Sequence, residues 1–276
     1  MTTQISPHVY VCHVDDGAVG HPGGSNNYFV GDPGEEMILI DAGQHDREWT
    51  QQILDYYEGL GRPKITSIAI THGHADHYGG LDRLFDVMQA PVRCHPKLAK
   101  TLWTLVPKES VVPVRSREVL RTGGGVALRC PFTPGHSVDH VCYYLARELV
   151  LFTGDTILGS SSATMGDLLS YMKSLQLLTR HRHDVICPAH GAVVPRPRGR
   201  RLVQWYMDHR NQREQQVLSA LQKGLTNVDD MVRDIYPKNL KRGLRAGAAR
   251  NIHTHLEKLI KEGRVEEEEP TYRIKG

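Results

Sequence analysis

Short runs of apolar, often β-branched residues recur along the first two thirds of the chain, each closed by glycine or a polar residue. MILIDAG (37–43), ITSIAIT (65–71), VALRCPF (126–132), HVCYYL (140–145), ELVLFTGD (148–155) and DVICPAHG (184–191) have the length and composition of strands. Between them, apolar residues recur at helical spacing over about 46–58, 80–88, 96–104 and 165–180. This alternation predicts an α/β fold whose strands end in polar residues.

The pattern changes near residue 199. Helical spacing then dominates, over 199–223, 226–235 and 241–262. Thr226 with Asp229 predicts a capping box for the second of these. In the third, Leu244, Ala248, Ile252, Leu256, Leu259 and Ile260 mark a core-facing side. The segments 263–266 and 272–274 are spaced to pair as a terminal hairpin, so the tail reads as a small winged-helix-like domain. The expected division is 1–195 and 196–276, with Pro195, Pro197 and Gly199 as an exposed linker. No internal repeat is present.

Composition narrows the class only modestly. The 276 residues can bury a sizeable core, and 39% hydrophobic with 24% charged residues is ordinary for a globular protein. No apolar run approaches the ~20 residues of a membrane span, and the amino terminus has no secretory pattern. These features predict a cytoplasmic protein, or a mitochondrial one if a transit peptide has been removed. The five cysteines are scattered and odd in number, as expected of free thiols. A net charge of +3 identifies no partner, although RPRGRR (196–201) is a basic knot and EEEE (266–269) an acidic one. Sixteen histidines is a high count, and many of them cluster.

THGHADHYGG (71–80) follows the apolar run ITSIAI, so it begins where a strand stops. Alternate side chains of extended backbone share a face, which lets His72, His74 and Asp76 converge. His77 falls at the turn into a helix, offset toward a neighbouring site. Three more strand ends carry single ligand-type residues beside glycine: His136 in TPGHS, Asp155 in TGDT and His190 in PAHG. Five imidazoles and two carboxylates suit zinc, with manganese or iron also compatible. By contrast, His181, His183, His209, His253 and His255 sit at no strand end and read as bystanders.

These residues resemble, in kind and order, the metallo-β-lactamase superfamily. That resemblance covers about residues 8–195 and implies an αββα sandwich. It implies two Zn2+ per chain: His72, His74 and His136 on the first, Asp76, His77 and His190 on the second, and Asp155 bridging both. Two such metals ~3.5–4 Å apart supply hydroxide at neutral pH, able to attack phosphorus or a thioester carbonyl. Asp76 is the expected catalytic residue, orienting the nucleophile or carrying its proton.

Exported zinc β-lactamases fit poorly without an export signal, and flavodiiron proteins carry Glu where His74 stands. The segments Phe152–Gly159, Asp167-Leu168, Tyr171-Met172, Ser174-Leu175, His209-Arg210 and Arg213–Gln216 resemble the β-lactamase-like group that includes the animal mitochondrial endoribonuclease. Its last helix and turn are matched by His255–Leu259 and Glu262-Gly263. Before residue 65 the match weakens, notably in HPGGSNNYFVG (21–31). The group also contains fungal thioesterases. The resemblance therefore favours cleavage of single-stranded RNA, with hydrolysis of a small acyl thioester, of the glyoxalase II or acyl-carrier thioesterase type, as the alternative. A winged-helix DNA-binding regulator using Arg242, Arg245, Arg250, Lys258 and Lys261 is a weaker third reading. At the rim, Arg196, Arg198, Arg200 and Arg201 are expected to guide a phosphate backbone, with Asn27 and Ser137 as further substrate contacts. A homodimer is compatible with these features, and no membrane partner is expected.

Overall fold

The computed structural model describes residues 3–17, 23–159, 164–268 and 271–274. The strands are β1 (Thr3–Ser6), β2 (Val9–Val14), β3 (Ser25–Gly31), β4 (Glu36–Ile40), β5 (Lys64–Ala69), β6 (Val92–Cys94), β7 (Val111–Pro113), β8 (Val119–Thr122), β9 (Val126–Arg129), β10 (Tyr143–Leu145), β11 (Val150–Gly154), β12 (Val185–Pro188), β13 (Val265–Glu268) and β14 (Thr271–Ile274). The helices are α1 (Arg47–Gly59), α2 (Ala75–Tyr78), α3 (Leu81–Met88), α4 (Ala99–Leu102), α5 (Leu168–Leu178), α6 (Arg198–Gln222), α7 (Val228–Ile235) and α8 (Arg242–Lys261).

Strands β1 to β7 form one sheet in sequence order, and β12-β11-β10-β9-β8 form the second. Alternation along each strand explains why two sheets and two helical layers result. On β4, Met37 and Leu39 pack toward α1 and α3, while Ile38 and Ile40 face the other sheet. On β11, Val150 and Phe152 meet that inter-sheet core, and Leu151 points out toward α5 and α6. Each such fully buried aliphatic or aromatic side chain contributes roughly 1.5–3 kcal/mol. The expected αββα sandwich is what the chain forms.

The pairs β4–β5 and β11–β12 are parallel. Their carboxyl ends, where Asp41, His72, Asp155 and His190 follow, lie along one edge of the sandwich. Ligand sites in open α/β sheets form at such strand ends.

At the junction near residue 196, Pro195 and Pro197 are exposed, whereas Val194 and Gly199 on either side of them are buried, so the segment is anchored at both ends. After His190 the chain turns back beside β12, and Val194 bridges Ile186 with N–O distances of 2.9 and 3.0 Å. Gly199 is buried there, and a Cβ on it would lie 2.3 Å from the Asp184 carbonyl oxygen. Helix α6 spans both parts of the molecule. Leu202, Val203 and Tyr206 belong to the sandwich's outer core, whereas Val217, Ala220 and Leu221 belong to the carboxy-terminal core.

In that carboxy-terminal part, α7 and α8 pack on α6 and end in the antiparallel hairpin β13–β14. Met231, Ile252, Leu256 and Leu259 fill its core. The cap of α7 differs from the expected box: Asn227 is the N-cap, its side-chain oxygen accepting from Asp230 N at 2.9 Å. Thr226 stands one residue too early. The run His209 to Gln216 is largely structural. Glu214 is buried and accepts from Lys258 Nζ at 2.6 Å and from Arg264 at 2.9 Å. Lys261 reaches Asp167 at 3.2 Å, joining the end of α8 to the N-cap of α5. Two of the five cations in the DNA-binding reading are thus spent inside the molecule. Glu266 pairs with Arg273, and Glu269 of the acidic knot lies outside the described residues. All five cysteines are buried free thiols, and no described helix is long and apolar enough to cross a membrane.

Candidate metal centre

The seven ligand-type residues converge from four strand ends. Among the described residues two groups have metal-holding geometry: His72, His74, His136 and Asp155, and beside it Asp76, His77 and His190. In the first, His74 Nδ1 lies 2.9 Å from His72 Nε2 and 3.0 Å from His136 Nε2, which is itself 3.4 Å from Asp155 Oδ2. In the second, Asp76 Oδ2 lies 3.4 Å from His77 Nε2 and 3.2 Å from His190 Nε2. The other oxygen of Asp155, Oδ1, lies 3.6 Å from His77 Nε2 and 3.3 Å from His190 Nε2. One carboxylate thus turns an oxygen toward each group.

That spacing fits divalent cations. Tetrahedral bonds of ~2.0–2.1 Å hold donors about 3.3–3.4 Å apart. Donor separations here run from 2.9 to 3.6 Å. His77 Nε2 and Asp155 Oδ1 are buried without a hydrogen-bond partner among the described residues, an arrangement that costs energy unless something binds them. His181, His183, His209, His253 and His255 belong to neither group.

A second layer of side chains orients the imidazoles. His77 Nδ1 lies 2.8 Å from Asp41 Oδ2, and Thr71 donates to the same carboxylate from its backbone N at 2.7 Å and its Oγ1 at 2.9 Å. With its proton committed to Asp41, Thr71 Oγ1 is left to accept from His72 Nδ1 at 3.1 Å, so His72 Nε2 keeps its lone pair. His190 Nδ1 is held at 2.8 Å by Ser25 Oγ, which donates to Asp16 at 2.6 Å. His136 Nδ1 donates to the Thr164 carbonyl at 2.7 Å. Every one of these contacts aims an Nε2 inward. His140, fully buried behind the site, accepts from Asp155 N at 3.2 Å.

Two glycines make room. Gly154 has φ +48°, and a Cβ there would come within 2.7 Å of His140 Nε2. Gly135 has φ +143°, and a Cβ would strike the Tyr171 backbone at 2.4 Å.

Burial drives the basicity of His72, His136 and His140 below the ordinary imidazole value, with neighbouring imidazoles adding to it for His72 and His140. Neutral rings are the ligating form. At His77 burial also disfavours the charge, but Asp41 and Asp155 outweigh it and hold the group well above 6.5. Burial likewise opposes ionisation of Asp76, yet contacts to His190 and His77 keep it below the usual carboxylate range. The site is therefore built to hold positive charge.

The expected substrate contacts fare differently. Asn27 is buried and accepts from Trp49 Nε1 at 3.0 Å, so it holds α1 and cannot reach a substrate. Ser137 stays at the rim beside His136, donating to Asp139 at 2.5 Å. The arginine knot is not at the rim. The reversal after His190 carries it to the opposite end of β12, about 13 Å away across four residues. There Arg196 and Arg200 both pair with Asp184, Arg200 Nε at 2.8 Å. Arg198 and Arg201 lie on the exposed side of α6.

Asp41, Ser25 and His140 were missed in the sequence. Asp41 ends the strand MILID and resembles the other ligand-bearing strand ends, a usable signal. Ser25 and His140 gave none, since their partners lie 165 and 15 residues away.

Comparison with known proteins agrees with this architecture. Residues 20–190 match the model of the metallo-beta-lactamase superfamily, and 228–272 match the beta-lactamase associated winged helix domain. A beta-lactamase-like protein 2 homolog of Drosophila melanogaster is 36% identical over 252 residues, 88% of this chain and 84% of that one. An atrochrysone carboxyl ACP thioesterase of Passalora fulva is 34% identical over 253 residues, 88% of this chain and 72% of its own. A metallo-beta-lactamase family protein from Thermus thermophilus superposes with a TM-score of 0.73 at 23% identity, covering 99% of this chain and 100% of that one. The chain belongs to the metallo-β-lactamase superfamily and carries that superfamily's associated winged helix at its carboxyl end.

Proposed function

We propose that the protein is a binuclear metal-dependent hydrolase of acyl thioesters. His72, His74 and His136 would hold one cation, Asp76, His77 and His190 the other, and Asp155 both. Two divalent cations held there would supply an activated water and Lewis acidity toward the scissile carbonyl. The chain's own residues supply the rest. Asp76, kept ionised, orients the attacking water by accepting its hydrogen. His140, donating nothing to the reaction, fixes Asp155 through its backbone N at 3.2 Å. The water oxygen bonds to the carbonyl carbon, the C–S bond breaks, and the proton ends on the departing thiolate.

The observation that carries the thioester reading is the 88% coverage by a relative named as an ACP thioesterase. The rim adds to it. Val138, between His136 and His140, is 64% exposed, an apolar contact suited to an acyl chain. The arginines that would track an RNA backbone stand at the far end of β12.

Cleavage of single-stranded RNA is the second reading, supported by the residues shared with the endoribonuclease-containing group. Zinc-loaded protein assayed on a panel of acyl thioesters and on single-stranded RNA separates the two, with Asp76→Ala as the control for contaminants. Thioester turnover abolished by that substitution, with RNA left whole, is the expected result. RNA cleavage without thioester turnover would replace the first reading with the second.

A further inference from the structure

One face of α6 remains unexplained by the hydrolase reading. Arg198, Arg201, Leu202, Trp205 and His209 recur at helical spacing along it. With Pro197, the first four of them line a pocket of about 440 Å³, within the ordinary range for small-molecule sites. Trp205 is 55% exposed, although its neighbour Tyr206 is buried and bonded to Leu158 N and O at 3.2 Å each. That pair of bonds fixes the helix about its axis and turns the indole outward. His209 backs the indole, its ring parallel within 6° at 5.3 Å between centroids.

The four arginines of the knot divide into two classes. Arg196 and Arg200 share the single carboxylate of Asp184. Arg198 and Arg201, the two that line the pocket, have no carboxylate partner among the described residues. The pocket therefore offers one immobilised aromatic face and two uncommitted guanidiniums above an apolar floor of Pro197 and Leu202.

We infer that this pocket binds a phosphorylated nucleotide, the base stacked on Trp205 and the phosphate between Arg198 and Arg201. A flat ring matches the indole, and guanidinium forks match phosphate oxygens bidentately. Stacking of bases on aromatic side chains tolerates any base and is a recurrent means of holding single nucleotides. The site is separate from the metal centre and does not depend on which substrate is hydrolysed there. Its ligand has two natural sources: the nucleotide end of a coenzyme A thioester, or one nucleotide of single-stranded RNA.

Calorimetric titration of the full chain with 3′,5′-ADP, 5′-AMP, an adenosine hexanucleotide and inorganic phosphate tests this. Binding of a nucleotide with a dissociation constant below about 1 mM is expected. Trp205→Ala should weaken it about tenfold or more. Arg198→Gln with Arg201→Gln should weaken it and flatten its salt dependence. Trp103→Ala, at another partly exposed indole, should leave it unchanged. Preference for 3′,5′-ADP over 5′-AMP identifies the coenzyme A source, and affinity rising with oligonucleotide length identifies RNA; each supports the site. Failure of every nucleotide to bind, equal affinity for inorganic phosphate, or binding that survives Trp205→Ala would overturn it.

Discussion

His77 Nδ1, on the short helix α2 that follows β5, and Asp41 Oδ2, just past the end of the neighbouring parallel strand β4, lie 2.8 Å apart with both side chains buried. The contact holds the ring so that Nε2 faces Asp76 and Asp155. Asp41→Asn keeps the shape and removes the charge that orients the imidazole. It should weaken metal binding at the second group by roughly 10–100-fold. Competition against a zinc chelator measures this, and unchanged affinity would mean that Asp41 does not act through His77.

Helix α7 provides a test of backbone capping. Asn227→Ala removes the acceptor for Asp230 N and should cost about 1 kcal/mol. Thr226→Ala should stay within about 0.5 kcal/mol, because its side chain caps nothing. Denaturant unfolding of the two variants distinguishes the positions, and the reverse order would restore the box read from the sequence.

The sandwich was legible where strands are buried on both faces. The strands within 37–43, 65–71, 148–155 and 184–191 are mostly apolar rather than alternating, because Met37, Ile38, Leu39 and Ile40 face two cores in turn, and so do their counterparts on β11. Each run ends in a ligand-type residue, so the site was legible with it. Strand β3 was not. Its Ser25 and Asn26 are polar and buried, satisfied by His190 and by the Pro188 and Gly191 carbonyls more than 160 residues away. Strands β6 and β7 have three residues each, too few to show a period. The arginine knot lies near His190 in sequence and far from it in space. The bridge between Ile186 and Val194 reverses the chain and carries the knot away.

His255 makes the carboxy-terminal part sensitive to acid. Burial first, then Arg210, Arg213, Lys258 and His209, push its imidazole down from 6.5 to about 3. Unfolded chains take up a proton there near pH 6.5 and folded chains do not until near pH 3. Its effect on stability is therefore absent above the higher value and grows as pH falls toward the lower. At about pH 5 the loss is about 2 kcal/mol. His255→Leu has no such group, so its stability should fall less than the wild type's between about pH 7.5 and about pH 5. Parallel losses in thermal unfolding would show that His255 takes no part.

The most direct test of the account is metal stoichiometry. Chelator-stripped protein, titrated with zinc and measured by elemental analysis after removal of free metal, should retain about two equivalents per chain. His77→Ala should retain about one, since it removes a donor from the second group and leaves His72, His74, His136 and Asp155 intact. One equivalent or none in the wild type would contradict the shared-carboxylate binuclear centre.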